Sequence, residues 1–255
     1  MQYKTLVISL VEQTVRRERM TQQLNQAGCD WEFVDGINGA SLGAYPPEYD
    51  RQKRLAYYGY DLSWGELGCL MSHRKAWRRV VDLNQTCLVL EDDVTLLPNL
   101  ERALFVAKKL EAYWDLFRLH SGQDKRPVQL AKLNGFTIFE NLDDPGSAAA
   151  FLIKPAAAKK LLETSSPFFM MNDDFVEARF LHGQRILALR PYPFEAGWGD
   201  STINDRRSPR MGPLARLRRE FYRVPFGLRR WWFQLIRSLV IALRLRPTIQ
   251  RVAVR

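Results

Sequence analysis

The apolar positions of this chain come in short runs divided by stretches of helical periodicity. Thr5-Leu6-Val7-Ile8-Ser9-Leu10 is a β-branched run that reads as a first strand. Val15 to Ala27 has helical spacing, carries Arg16, Arg17 and Arg19 in its first turns, and meets a C-terminal stop at Gly28. Trp31 to Asp35 reads as a second strand closing on Asp35-Gly36, and residues 38–62, with Pro46, Pro47 and several tyrosines, read as a long functional loop. Ser63 to Leu83 is a predicted helix, with Ser63 as its cap and Glu66, three residues on, completing a capping box. Cys87 to Leu90 reads as a central strand, Leu100 to Ala112 as a helix and Asp115 to Leu119 as a short strand. Residues 121–146 hold a hairpin and Ala148 to Ile153 another strand; Pro155 then starts a helix at its first position. Asp174 to His182 is a short helix and Arg185 to Leu189 a last strand. Strands alternating with helices predict an α/β sheet with parallel strands.

Charge changes this picture at one place. The net charge is +10, yet residues 206–255 hold 14 arginines, no lysine and one acid, Glu220. The first 205 residues are mildly acidic, so two units are expected: an α/β domain over 1–205 and an arginine-rich tail over 206–255. Arg216, Arg223, Arg230, Arg237 and Arg244 recur every seven residues among Leu217, Phe221, Trp231, Trp232, Leu235 and Leu239. The tail reads as two basic amphipathic helices broken at Pro225 and ending at Pro247, lying on an anionic membrane surface. The alternatives are docking on the domain, docking on a second subunit to give a homo-oligomer, or nucleic acid; the interleaved tryptophans and leucines speak against nucleic acid. Cys29, Cys69 and Cys87 are odd in number and scattered, which predicts reduced thiols and neither a disulfide framework nor a zinc site. The N-terminus enters a strand pattern directly, with no signal-peptide core, and no run of apolar residues is long enough to span a bilayer.

The chemistry concentrates in Leu88-Val89-Leu90-Glu91-Asp92-Asp93-Val94, where a strand-like run ends in three consecutive acids. Carboxylates so crowded repel one another unless a cation sits among them, and oxygen ligands at a strand end suit Mg²⁺ or Mn²⁺. Glu91, Asp92 and Asp93 are the metal candidates; a solvated acidic turn is the plain alternative. Ligands of open α/β sheets sit beyond the carboxyl ends of the strands, which also makes Asp35 a candidate ribose contact. Arg16 and Arg19, near a helix start, suit a phosphate, or else a solvated helix face.

These segments together resemble a known family. Val7 to Leu10 with Arg16 to Met20, Phe33 to Gly36, and Leu62 to Cys69 with Ser72-His73 and Trp77 match glycosyltransferase family 25 of bacterial lipooligosaccharide and lipopolysaccharide synthesis. So do Val89 to Val94, Gly146 to Lys154, Asp173-Asp174 and Ser201 to Ile203. The resemblance implies a GT-A-type, Rossmann-like nucleotide-sugar-binding domain and a UDP-hexose donor, galactose before glucose. It also implies inverting transfer onto a lipid-linked oligosaccharide acceptor. It draws Ser9, Gly65, Glu66 and His73 toward the donor, although Glu66 is also the capping partner and a lone helical histidine is ordinarily a packed one. Inversion needs a base for the acceptor hydroxyl, and Asp173 or Asp174 is that candidate, with helix capping as the alternative. Such an enzyme would work on the cytoplasmic face of the inner membrane. The rivals are a nucleotidyltransferase or sugar-phosphate enzyme using the same acids, and a non-enzymatic membrane-binding protein.

Overall fold

The computed structural model describes residues 3–143, 145–197 and 212–254. Ser201 to Ile203 lie outside them. The chain runs β1 (Lys4–Ser9), α1 (Thr14–Gln26), β2 (Trp31–Asp35), α2 (Arg51–Tyr58), α3 (Trp64–Leu83), β3 (Cys87–Glu91), β4 (Thr95–Leu96) and α4 (Leu100–Lys109). It continues β5 (Leu116–Arg118), β6 (Pro127–Leu133), β7 (Phe136–Asn141), β8 (Ala150–Ile153), α5 (Pro155–Thr164), α6 (Asn172–Glu177) and α7 (Arg179–His182). The last elements are β9 (Ile186–Arg190), β10 (Phe194–Glu195), α8 (Pro213–Val240), a π-helical turn (Ile241–Leu245) and α9 (Arg246–Val254).

Eight strands form one sheet in the order β2-β1-β3-β8-β5-β9-β7-β6, and β4 pairs with β10 apart from it. The expectation of parallel strands holds for β2-β1-β3 and for β5-β9, but β8 runs antiparallel to both β3 and β5, and β7 to both β9 and β6. The sheet is therefore mixed. The β6–β7 turn is Asn134-Gly135, both at positive φ, the pair that matches the twist of a tight hairpin.

Side-chain alternation along β1 and β3 splits the core across the sheet. Val7, Leu88 and Leu90 pack with Met20 and Leu24 of α1 and with Ala103 and Leu104 of α4. Leu6, Ile8 and Val89 pack with Leu67, Leu70 and Trp77 of α3 and with Ala157 and Leu161 of α5. Helices on both faces bury the strand run that ends in the acids, which leaves its carboxyl end as the free rim.

Three expectations change. The 38–62 stretch contains helix α2, capped by Asp50, whose side chain accepts from Lys53 N–H, and stopped at Gly59. Pro225 does not break the tail: α8 runs through it. Its ring stands on the exposed side, where water can satisfy the carbonyl its missing N–H leaves. Pro247 lies in the first turn of α9, and the widened π turn before it takes up the carbonyl that its ring would meet.

The tail docks on the domain. Glu140, fully buried, receives Arg179 Nη1 at 2.6 Å and Arg237 Nε and Nη2 at 2.8 Å each. Arg230 and Gln234 hold Asp143, and Ile241 and Ile249 are buried in the core. Two of the tail's arginines, Arg230 and Arg237, are thus paired with acids of the domain.

Candidate active site

The carboxyl ends of β1 and β3 open into a cleft of about 450 Å³. Its walls come from β1 and the start of α1 (Ser9, Gln13, Arg16), the loop after β2 (Gly36 to Gly39), α3 (Gly65, Cys69, His73), the β3 exit (Glu91 to Asp93) and the loop before β8 with α6 (Gly146 to Ala148, Asp173).

The capping box places α3. Ser63 Oγ accepts from Glu66 N–H and the Glu66 carboxylate accepts from Ser63 N–H at 2.8 Å. Glu66 is thereby committed to the helix start and does not line the cleft. The loop after β2 then lies directly on α3. A Cβ on Gly39 would fall 1.6 Å from the Trp64 carbonyl oxygen, and one on Gly68 would fall 2.5 Å from that of Ile37. Ser72 ties the two together, its hydroxyl accepting from Ile37 N–H at 2.8 Å and donating to the Gly68 carbonyl at 2.6 Å.

The three acids diverge, as successive residues leaving a strand do. Glu91 meets His73 Nε2 at 2.9 Å. Asp92, 7% exposed, accepts from Ser9 Oγ at 2.6 Å and from Arg16 at 3.0 Å. Asp93 keeps a buried Oδ1 with no hydrogen-bond partner among the described residues. Burial, then the Glu91 charge beside it, push the Asp93 carboxyl up to about 6. A buried oxygen without a donor, on an acid that resists ionising, fits a divalent cation as the missing partner. Glu91 and Asp93 are the acids best disposed to hold one, whereas both oxygens of Asp92 are taken up in fixing Ser9 and Arg16. A second donor set lies alongside: single donor atoms of Cys69, His73 and Glu91 all fall within 4.8 Å of one another. One of the three scattered cysteines, Cys69, therefore stands in a candidate donor set. Cys69 and His73 are i, i+4 on one face of α3, a spacing visible in the sequence.

Other predicted residues separate. Arg19 turns away from the cleft, to the Val94 carbonyl at 2.9 Å and to Thr95 Oγ1. Asp35 pairs with Arg17 at an exposed position, and its neighbour Gly36, not Asp35, lines the cleft. Of the paired acids of α6, Asp173 lines the cleft and accepts from Ser147 N–H at 3.2 Å, while Asp174 faces a second cavity and approaches the Tyr58 hydroxyl at 3.4 Å. Neither caps α6 by a side-chain hydrogen bond; both occupy its first turn.

Two functional positions gave no signal of their own in the sequence. Ser147 has φ +64, and its hydroxyl shares a hydrogen bond with His120 Nδ1 at 3.1 Å. Arg118 is buried behind it, bonded to the Ser147 carbonyl and to buried Glu177, and so joins the 146–147 loop to α6. Burial, with Arg118 nearby, lowers His120 to about 4, so its imidazole is neutral at ordinary pH.

The chain is similar in sequence to known proteins. The chain is 28% identical over 200 residues to procollagen galactosyltransferase 1-A of Xenopus laevis, covering 69% of this chain and 31% of that protein. It is 29% identical over 136 residues to procollagen galactosyltransferase 1 of Danio rerio, covering 49% and 22%. The inactive glycosyltransferase 25 family member 3 of Homo sapiens is 30% identical over 193 residues, covering 69% and 31%. The chain thus spans about a third or less of the length of these relatives. A Drosophila β1,4-galactosyltransferase 7 variant in complex with manganese, UDP-Gal and xylobiose aligns over 86% of this chain and 80% of its own, at 11% identity and a TM-score of 0.40. That likeness is too slight to carry an argument. The family model "Glycosyltransferase family 25 (LPS biosynthesis protein)" matches residues 2–176, which include every residue of the cleft. On that match, the chain belongs to glycosyltransferase family 25.

Proposed function

We propose that the cleft transfers a hexose, galactose before glucose, from a UDP-sugar to the hydroxyl of a lipid-linked oligosaccharide of the lipooligosaccharide or lipopolysaccharide core, with inversion. The observation that carries the reading is the unpartnered Asp93 oxygen among Glu91, Ser9 and Arg16 at the end of the parallel strands, where an α/β sheet receives a nucleotide. The galactosyltransferase names of two relatives support the choice of sugar, and the family description supports the choice of acceptor.

The roles follow from placement. Asp93 and Glu91 would hold Mn²⁺ or Mg²⁺, which when bound supplies Lewis-acid neutralisation of the diphosphate leaving group. Asp92 holds Arg16 and Ser9 at the cleft floor, so that the Arg16 guanidinium is positioned before a phosphate arrives. The touching backbones at Gly39 and Gly68 bring the loop after β2 to the rim, where its main-chain groups face the nucleoside. Asp173 takes the proton of the acceptor hydroxyl as that oxygen attacks the anomeric carbon; unlike Asp174, it is in the cleft.

The test is UDP release from a panel of UDP-sugars, with Mn²⁺, with Mg²⁺ and with EDTA, on the wild type and on Asp93→Ala. Release from one donor, abolished by EDTA and reduced at least roughly hundredfold by the substitution, is the expected outcome. No UDP from any donor, with a lipooligosaccharide acceptor present, would sink the reading and leave a family member that binds without transferring, as the names of some relatives already allow.

A further inference from the structure

Helix α8 has two faces of opposite character. At 100° per residue, Leu217, Phe221, Leu228, Trp231, Trp232 and Leu239 fall within an arc of about 100°. All of them are exposed: Phe221 is 77% accessible, Trp231 54% and Trp232 57%. The opposite arc carries Phe226, Phe233, Gln234 and Arg237, which rest on the domain. The helix has therefore already made its intramolecular contacts, and the apolar arc is what remains.

From this division we infer that the outer face of α8 seats on an anionic lipid bilayer, with the helix lying flat in the headgroup region. The charge around this face selects the occupant. Arg216 and Arg229 are exposed, each about 60° beyond one edge of the apolar arc, in a tail with 14 arginines and one acid. A second copy laid against this face would bring the same arginines against them, whereas anionic headgroups neutralise them. Nucleic acid would pair with the arginines and leave the leucines and tryptophans in water. No helix among the described residues is long and apolar enough to cross a membrane, so the contact is interfacial. The two tryptophans, whose rings meet edge to face at 5.2 Å, have the amphipathic character that settles at headgroup depth.

The placement also serves the transfer reaction, and this part rests on the reading above. The inner side of α8 closes a cavity of about 280 Å³ lined by Tyr57, Tyr58, Asp174, Arg223 and Phe226. Asp174 stands in that cavity and Asp173, its neighbour in the chain, stands in the cleft. A membrane beside α8 would bring a lipid-linked acceptor to the side of the domain where α6 carries Asp173 and Asp174.

Flotation of the full chain with vesicles of phosphatidylcholine, with and without phosphatidylglycerol, tests the inference beside Trp231→Glu/Trp232→Glu, an exposed pair outside the cleft. The wild type is expected to float with the phosphatidylglycerol vesicles and the variant to lose at least roughly tenfold in partitioning, with UDP release from a soluble donor unchanged. Absence of flotation with either vesicle overturns the inference, as does equal flotation of the variant. Light scattering that finds a wild-type dimer, dissociated by the same substitutions and indifferent to vesicles, would assign the face to a second copy instead. The flotation and light-scattering outcomes do not depend on catalysis, so failure of the membrane contact and failure of the transferase reading are separate results.

Discussion

The cleft and the tail helix are each incomplete, in opposite ways. The cleft has surplus negative charge: an oxygen of Asp93 is buried with no donor among the described residues, and its carboxyl resists ionisation up to about 6. The tail is strongly basic, but where it meets the domain its charges are matched, Arg237 by Glu140 and Arg230 by Asp143; what it lacks is cover for apolar surface. Unmatched carboxylate oxygens inside a concave site call for a small cation. An apolar surplus on a convex helix calls for a broad, featureless partner. The kind of partner can thus be read from what each region leaves unsatisfied.

The largest effect should come from the cleft without disturbing the fold. Asp173→Asn keeps the oxygen that accepts from Ser147 N–H, and should lower the transfer rate by about 10²- to 10⁴-fold at unchanged melting temperature. Asp174→Asn should cost far less. Steady-state rates on both variants check the assignment, and equal losses would remove Asp173 from its role.

Next comes a break at the joint of the two regions. Glu140→Ala leaves Arg179 and Arg237 facing each other across a buried site, and should destabilise the chain by about 3–5 kcal/mol in a urea titration. Limited proteolysis should then cut the tail ahead of the domain. A loss below about 1 kcal/mol would mean that the two arginines reach water when their acid is gone.

The smallest effect is shared by both regions. His182 on α7 is buried, with Nε2 donating to the Val176 carbonyl at 3.0 Å and Nδ1 accepting from Gln184 N–H at 3.2 Å, an arrangement only the neutral ring can make. Burial lowers it to about 4, from an ordinary value of 6.5. Between these values the unfolded chain binds the proton and the folded chain does not. Stability is therefore complete above pH 6.5 and falls as pH drops toward 4, by roughly 2–3 kcal/mol. His120, beside the cleft, adds a loss of the same sign. Melting temperatures across that window check the prediction; a flat profile would mean that both rings ionise in place.

Much of the frame was legible in the sequence because it rests on local rules. The β1 and β3 runs, the α1 and α3 periodicities and the Ser63–Glu66 capping box depend on residues within a few positions of one another. That the acids stand at a strand exit was equally legible, but their divergence was not, since it depends on where Ser9, Arg16 and His73 arrive from distant elements. Arg118 and Glu140 escaped notice for a related reason. Each is a lone charge in a strand, indistinguishable from a solvated edge until its partner, 59 or 97 residues away, is placed beside it. The heptad of arginines defined a face on α8 but not its direction, because only the packed domain decides which face turns inward. Helix α2 did leave a signal, Asp50 before it and Gly59 after it, which the prolines and tyrosines of the loop outweighed.

The contact at Gly39 and Gly68 has a consequence for how the cleft adapts. That wall is two main chains in touch, with no side chain between them to change rotamer or be exchanged for a larger or smaller one. At that contact the spacing is fixed, and neither glycine can gain a side chain without parting the two main chains. The facing rim is built differently: Gly146 and Ser147 both hold positive φ there and the backbone hangs from Arg118. If the transferase reading proposed above holds, variation that alters the fit of the donor should collect on that rim.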